Sequence, residues 1–154
     1  MTIIERLRQY KELDPHKIAL IVNDKKYTYG DLYDAILSID INDTSRIVNV
    51  AQTKESSKHI VALIQSQSFV EQLVQWLGGL YTGYIPMVCH NEMDTEYVEK
   101  LARFIAYKGV VPLADFGVLT SGTTGRPKPL WRSESSWREF FDIQNDIFHI
   151  RSEE

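Results

Sequence analysis

The chain has 154 residues, 44% of them hydrophobic and 25% charged, which is ordinary for a globular protein. A domain of that size buries roughly 70% of its unfolded surface and needs no disulfide or metal to stand. The balance of 17 Lys+Arg against 21 Asp+Glu, a net charge of −4, speaks against a basic nucleic-acid face, and the single cysteine, Cys89, excludes an internal disulfide and fits a reducing cytoplasm.

The N-terminus carries Glu5 and Arg6 where a signal peptide would place its apolar run. No apolar stretch approaches membrane-spanning length, so a cytoplasmic protein without a span is expected. Ile3, Ile4, Leu7 and Tyr10 recur at helical spacing and predict a helix over 2–12, ended by Asp14-Pro15. Lys17 to Asn23 reads as a strand that turns through Asp24-Lys25 into a second strand, Lys26 to Tyr29. A helix follows from Gly30, with Thr28 or Asp31 near its start. Asn42 to Ser45 is a turn cluster, Arg46 to Ala51 a strand, and the polar stretch Thr53–Lys58 a loop.

His59 to Ile64 is an apolar run short enough for a buried strand. Ser68 with Glu71 forms a capping box ahead of an amphipathic helix through Val70, Leu73, Val74, Leu77 and Leu80. Tyr84 to Cys89 is a strand, and Asp94 or Thr95 opens a helix through Tyr107 that Gly109 stops. Val110-Val111 and Phe116 to Thr120 read as short strands, Lys128 to Arg132 as another. Trp137, Phe140, Phe141, Ile143, Ile147 and Phe148 mark one more helix. Alternating strands and helices predict an α/β fold with a largely parallel sheet flanked by helices.

One segment carries chemistry. Residues 120–129 read Thr-Ser-Gly-Thr-Thr-Gly-Arg-Pro-Lys-Pro. Thr120, Ser121, Thr123 and Thr124 offer hydroxyl donors, while Gly122 and Gly125 let the backbone turn and bring its N–H groups close to an anion. Lys128 and Arg126 add positive charge, so a polyphosphate matches the set. It is not a Walker A loop, because Arg126-Pro127 follows the last glycine, and Pro127 argues against a helix there. Strand–loop–strand is the better layout. The same residue types also build plain solvent-exposed hairpin turns.

The ordered string resembles the phosphate-binding motif of the adenylate-forming superfamily, which includes acyl-CoA synthetases, aryl-CoA ligases, luciferases and peptide-synthetase adenylation domains. Thr120 to Lys128 match its pattern [ST]-[ST]-G-[ST]-T-G-x-P-K-G throughout. Pro129 stands where the family has its final Gly, and Arg132 falls where it often has a His. Ile18-Ala19-Leu20 followed by Tyr27-Thr28-Tyr29-Gly30-Asp31-Leu32 resembles the family's opening. Gly79 to Pro86 resembles its small-residue segment, with Gly83 ending a helix and Pro86 in an edge strand or at a strand end.

The resemblance implies the N-terminal portion of that superfamily's large domain, a partial AMP-binding domain over residues 1–154. It implies ATP-dependent activation of a small-molecule carboxylic acid to an acyl-adenylate, then transfer to a thiol, either coenzyme A or a carrier protein. Thr120, Ser121, Gly122, Thr123, Thr124, Gly125 and Lys128 would bind the ATP phosphates with Mg²⁺. The family's later motifs do not occur in these 154 residues. No catalytic residue is therefore assigned, and the chain is expected to be an inactive piece of a longer enzyme.

The alternative from another class is a stand-alone α/β module that binds a phosphate ligand or a partner without catalysis. His16, His59, His90 and His149 lack metal-ligand spacing, so no metal site is assigned. Cys89, ending an apolar strand, reads as a buried small hydrophobe rather than a nucleophile. The pairs Trp131-Arg132 and Trp137-Arg138 could mark a nucleic-acid face, but Glu134, Glu139, Asp142 and Asp146 cancel their charge. Self-association, or disorder over 121–128, is expected of the isolated chain.

Overall fold

In a computed structural model, residues 1–51, 60–120 and 127–149 are described. Helix α1 (Ile3–Leu13) opens with a complete capping box between Thr2 and Glu5. Strands β1 (Ile18–Val22) and β2 (Lys25–Thr28) form an antiparallel hairpin separate from the main sheet. Its turn falls on Asn23 and Asp24, one residue before the expected Asp24-Lys25. Both take positive φ (49° and 62°), a backbone that Asn and Asp tolerate better than most residues.

Helix α2 (Tyr29–Ser38) begins at Thr28, and Thr28 and Asp31 cap it reciprocally. The cluster 42–45, expected as a turn, forms instead a one-turn helix, α3 (Ile41–Thr44). The Asp40 carboxylate accepts from the Asn42 N–H, and Ile41 anchors the turn in the core. Strand β3 (Arg46–Asn49) follows.

Strands β4 (Ile60–Ile64), β5 (Ile85–Val88), β6 (Phe116–Thr120) and β7 (Lys128–Arg132) join β3 in one five-stranded sheet, in chain order. The central three are parallel and both edge strands run antiparallel. β4 is buried on both faces, which is why it reads as an unbroken apolar run. Val61 and Leu63 join Ile85, Met87 and Cys89 under α5 (Thr95–Lys108). The opposite face lies under α4 (Phe69–Tyr81), where a Cβ on Gly79 would sit 3.0 Å from Pro86. There Leu77 packs with Leu32 and Ile36 of α2, and α1 closes the cluster through Ile3, Ile4 and Leu7.

Four further expectations change. Ser68 caps α4 through the Glu71 N–H, but the Glu71 carboxylate accepts from the Ser66 hydroxyl (2.6 Å) rather than completing the box. Pro86 lies inside the central strand β5, not at an edge or strand end. The Cys89 N–H donates to the Ile64 carbonyl (2.7 Å), which assigns the odd-numbered residues of β5 to β4. The missing Pro86 N–H therefore faces the β6 side, where the ladder consists of the pair Met87–Gly117 and leaves no bond to lose. Val110-Val111 is no strand; the chain turns there, with Leu113 at φ 61°. The expected final helix is two, α6 (Glu134–Arg138) and α7 (Phe141–Phe148). Trp137 of α6 meets Trp76, Phe116 and Phe141 at centroid distances of 6.1, 5.3 and 6.1 Å.

Candidate functional site

The residues singled out in the sequence sit where β6 turns into β7. The two strands pair from Phe116–Arg132 to Thr120–Lys128, so the layout is strand–loop–strand, as Pro127 requires. Ser121, Gly122, Thr123, Thr124 and Gly125 lie outside the described residues, as do Arg126, Thr53–Lys58 and His59; so does most of the stretch 121–128 expected to be disordered. The two ends of the loop are described.

Thr120 accepts the Lys128 N–H on Oγ1 (3.2 Å) and lies 3.3 Å from the Lys128 carbonyl, which its hydroxyl can reach as donor. That hydroxyl therefore closes the base of the loop and is committed there. Residues directly opposite in an antiparallel pair share a face, so Thr120 and Lys128 lie on the same side of the hairpin, and both are exposed.

Beside this base opens a cleft of about 840 Å³. It is lined by Gln72 and Trp76 of α4, by Val88 to Met93 at the end of β5, and by Gly117 to Thr120 and Pro127. The cleft thus lies at the carboxyl ends of two parallel strands, where open α/β sheets present their ligand sites.

Two side chains that the sequence pattern did not single out shape it. Gln65, just past β4, donates its amide toward the carbonyls of His90 (3.1 Å), Asn91 (3.3 Å) and Met93 (2.8 Å) and so holds the rim after β5. Tyr97, in the first turn of α5, donates its hydroxyl to the Pro127 carbonyl at 2.6 Å. Both contacts join residues 25 or more apart in sequence, and no local pattern announces them.

Cys89 is fully buried at the floor of the cleft, and burial pushes its thiol up to about 11. The thiolate needed for nucleophilic attack is thereby suppressed, as the sequence reading expected. Arg132 donates Nε to the Ser136 hydroxyl (3.3 Å), and with Trp76, Phe116, Val118 and Trp137 it lines a hollow of about 230 Å³ on the α4 face. Among the described residues, no group of three His, Cys, Asp or Glu side chains could hold a metal ion. No helix among them is long and apolar enough to cross a membrane.

No family model matches the chain. Solved structures share its architecture. o-Succinylbenzoate CoA synthetase (MenE) from Bacillus subtilis, solved with the acyl-adenylate intermediate OSB-AMP, superimposes with a TM-score of 0.62 at 14% identity. The match covers 99% of this chain and 47% of that one. The chain has the fold of the N-terminal part of an adenylate-forming enzyme. The N-terminal subdomain of Klebsiella oxytoca NpsA, bound to 3-hydroxyanthranilyl-AMSN, agrees with a TM-score of 0.53, 15% identity and 86% coverage of this chain, against 40% of its own.

In sequence, the chain is 24% identical over 176 residues to a Staphylococcus aureus protein named "Putative long chain fatty acid-CoA ligase VraA". Its counterpart in Staphylococcus epidermidis is 25% identical over 155 residues. The chain spans 36% and 32% of the lengths of these relatives. The expected fold class and family resemblance are both borne out, and the three central strands of the sheet run parallel, as the α/β expectation required.

Proposed function

We propose that this chain is the N-terminal portion of an ATP-dependent acid–thiol ligase of the acyl- or aryl-CoA-synthetase kind, working in the cytoplasm. The observation that carries the reading is the place of the loop. The motif Thr120–Lys128 spans a hairpin whose closed base borders a cleft at the carboxyl ends of β5 and β6. Lys128 starts β7 directly across from Thr120, so it stands at the mouth of the loop as a cationic donor.

In this reading the hydroxyls of Ser121, Thr123 and Thr124, the loop N–H groups and the Lys128 ammonium hold the β- and γ-phosphates of ATP. Binding here does not draw on a helix dipole, since a strand follows the loop. Preorganised donors of this kind steady the charge that builds on departing pyrophosphate when a carboxylate attacks the α-phosphate. The described residues provide no carboxylate cage, so Mg²⁺ fits as an ion carried in on the phosphates. When bound, it neutralises phosphate charge.

The names of the Staphylococcus relatives favour a long-chain fatty acid as the carboxylate and fatty-acid metabolism as the setting, while the structural neighbours favour an aryl acid. The acceptor is coenzyme A or a carrier thiol. The partner residues for adenine, ribose and the catalytic lysine belong to motifs that these 154 residues do not contain, so the chain alone is inactive in adenylate formation.

The test is pyrophosphate and ATP binding by calorimetry, with and without magnesium. Weak binding is expected, and Lys128→Ala should reduce it on the order of tenfold, the worth of one charge-assisted hydrogen bond. Binding of unchanged strength in Lys128→Ala removes the role given to the loop. Carboxylate-dependent pyrophosphate exchange catalysed by the chain alone would refute its inactivity.

A further inference from the structure

We propose that Tyr97 is a positioning residue for the phosphate site, holding the C-terminal leg of the loop through its hydroxyl; this rests on the loop reading above. Pro127 is the last residue before β7, and its carbonyl receives the Tyr97 hydroxyl at 2.6 Å, across 30 residues of sequence.

The leg needs such a hold. Pro127 and Pro129 flank Lys128, and neither has an N–H to donate to a neighbouring strand. Of these three residues only Lys128 can donate a backbone N–H, and Thr120 Oγ1 is among its acceptors. β7 pairs with β6 alone among the described residues. The leg therefore has few backbone donors next to the loop, and the phenol adds a bond from outside the β6–β7 ladder.

Tyr97 itself stands on firm ground. It is part-buried in the first turn of α5, its N–H bonds the Asp94 cap at 2.6 Å, and its ring packs against the core cluster that includes Val98 and Leu101. The anchoring atom is thus carried by a capped helix packed on the sheet. The hydroxyl fixes Pro127, Pro127 fixes the start of Lys128, and Lys128 is the cation that meets phosphate. The same contact forms a shared wall, because Pro127 borders the 840 Å³ cleft on one side and a second hollow, lined by Tyr97 and Lys100, on the other.

Tyr97→Phe removes one oxygen and keeps the ring in the core. Pyrophosphate affinity should fall roughly fivefold, the equivalent of one net hydrogen bond, with a fall in melting temperature of no more than about 3 °C. Amide exchange at Lys128 and Leu130 should quicken in the unliganded variant, while exchange in β4 and β5 stays as it was. Wild-type affinity in Tyr97→Phe would overturn the proposal, whatever its exchange.

Lys128→Ala, measured alongside, separates the two ideas. Weakened binding in Lys128→Ala with none in Tyr97→Phe refutes Tyr97 alone; no effect of either refutes the loop. Absence of any pyrophosphate binding to the unsubstituted chain at concentrations on the order of 10 mM overturns both. Should Tyr97→Phe fail to fold, the ¹³Cζ resonance of Tyr97 in the unsubstituted chain gives the answer. It should shift on saturation with pyrophosphate, and an unmoved resonance counts against the proposal.

Discussion

Gly117 gives the most exacting test of how the sheet delivers β6 to the site. It pairs with Met87 across β5 and with Trp131 across β7, so three residues form one row over three strands on the α5 face. A Cβ built on Gly117 would lie 2.2 Å from Met87 Cε and 2.8 and 3.0 Å from Trp131 ring carbons. The methionine tip can swing aside, but the indole is held between the sheet and the core cluster and cannot yield cheaply. Overpacking of this kind costs about 1–3 kcal/mol. Against it, replacing glycine stiffens the unfolded chain, which is worth about 0.4–1 kcal/mol in favour of the variant.

The clash wins. Gly117→Ala should therefore lose about 1–2 kcal/mol, a fall of about 3–6 °C in melting temperature for a domain of this size. Urea denaturation followed by tryptophan fluorescence measures it, with the midpoint moving and the slope unchanged. A second variant locates the cause. In a Trp131→Ala background the alanine at 117 should be better tolerated, giving a coupling of about 1 kcal/mol between the two sites. An unchanged or raised midpoint in Gly117→Ala, or strictly additive costs, would show that the row is not close-packed as described.

Other outcomes follow from single contacts. Cys89 should resist thiol reagents in the native state and react fully in urea. Its thiol rises from 9.0 to about 11 on folding, so its contribution is complete below pH 9 and lost as pH rises through 11, about 3 kcal/mol in all. Urea midpoints of the wild type and Cys89→Ala should therefore diverge in slope against pH over that interval, and parallel profiles would refute the shift. Thr28→Ala should cost about 1 kcal/mol in denaturation, because Thr28 Oγ1 caps the Asp31 N–H at 3.0 Å. A cost near zero would mean that α2 starts without its cap.

Much of this could be read from the chain because the signals are local. The helix start near Thr28 and Asp31, the apolar run of β4, the helix stop at Gly109 (φ 75°) and the Pro127 break all act within a few residues. What could not be read depends on partners far along the chain. Pro86 is tolerated in a central strand because of where the β6 ladder begins, and Ile41–Thr44 coils into a helix because Ile41 finds the core. Val110-Val111 has strand-like residues, yet it lies where the chain turns toward β6 rather than beside a neighbouring strand. At the site, the loop composition announced itself, while Gln65 and Tyr97 act through contacts across 25 or more residues.

The hairpin that carries the motif stands on two unlike legs. β6 has neighbours on both sides and an N-terminal residue, Phe116, wedged against Trp76 and Trp137; β7 has β6 alone among the described residues. The first leg is held on both sides within the sheet, the second by β6 and by the Tyr97 contact at Pro127. Under the proposed function, an anion caught between them would act on the second leg more than on the first, so ligand occupancy should register along Lys128 to Arg132 and, through the Arg132–Ser136 contact, in α6. Under the proposed function, a loop mounted in this way would report its occupancy toward one side of the molecule, the side where α6 carries Trp137.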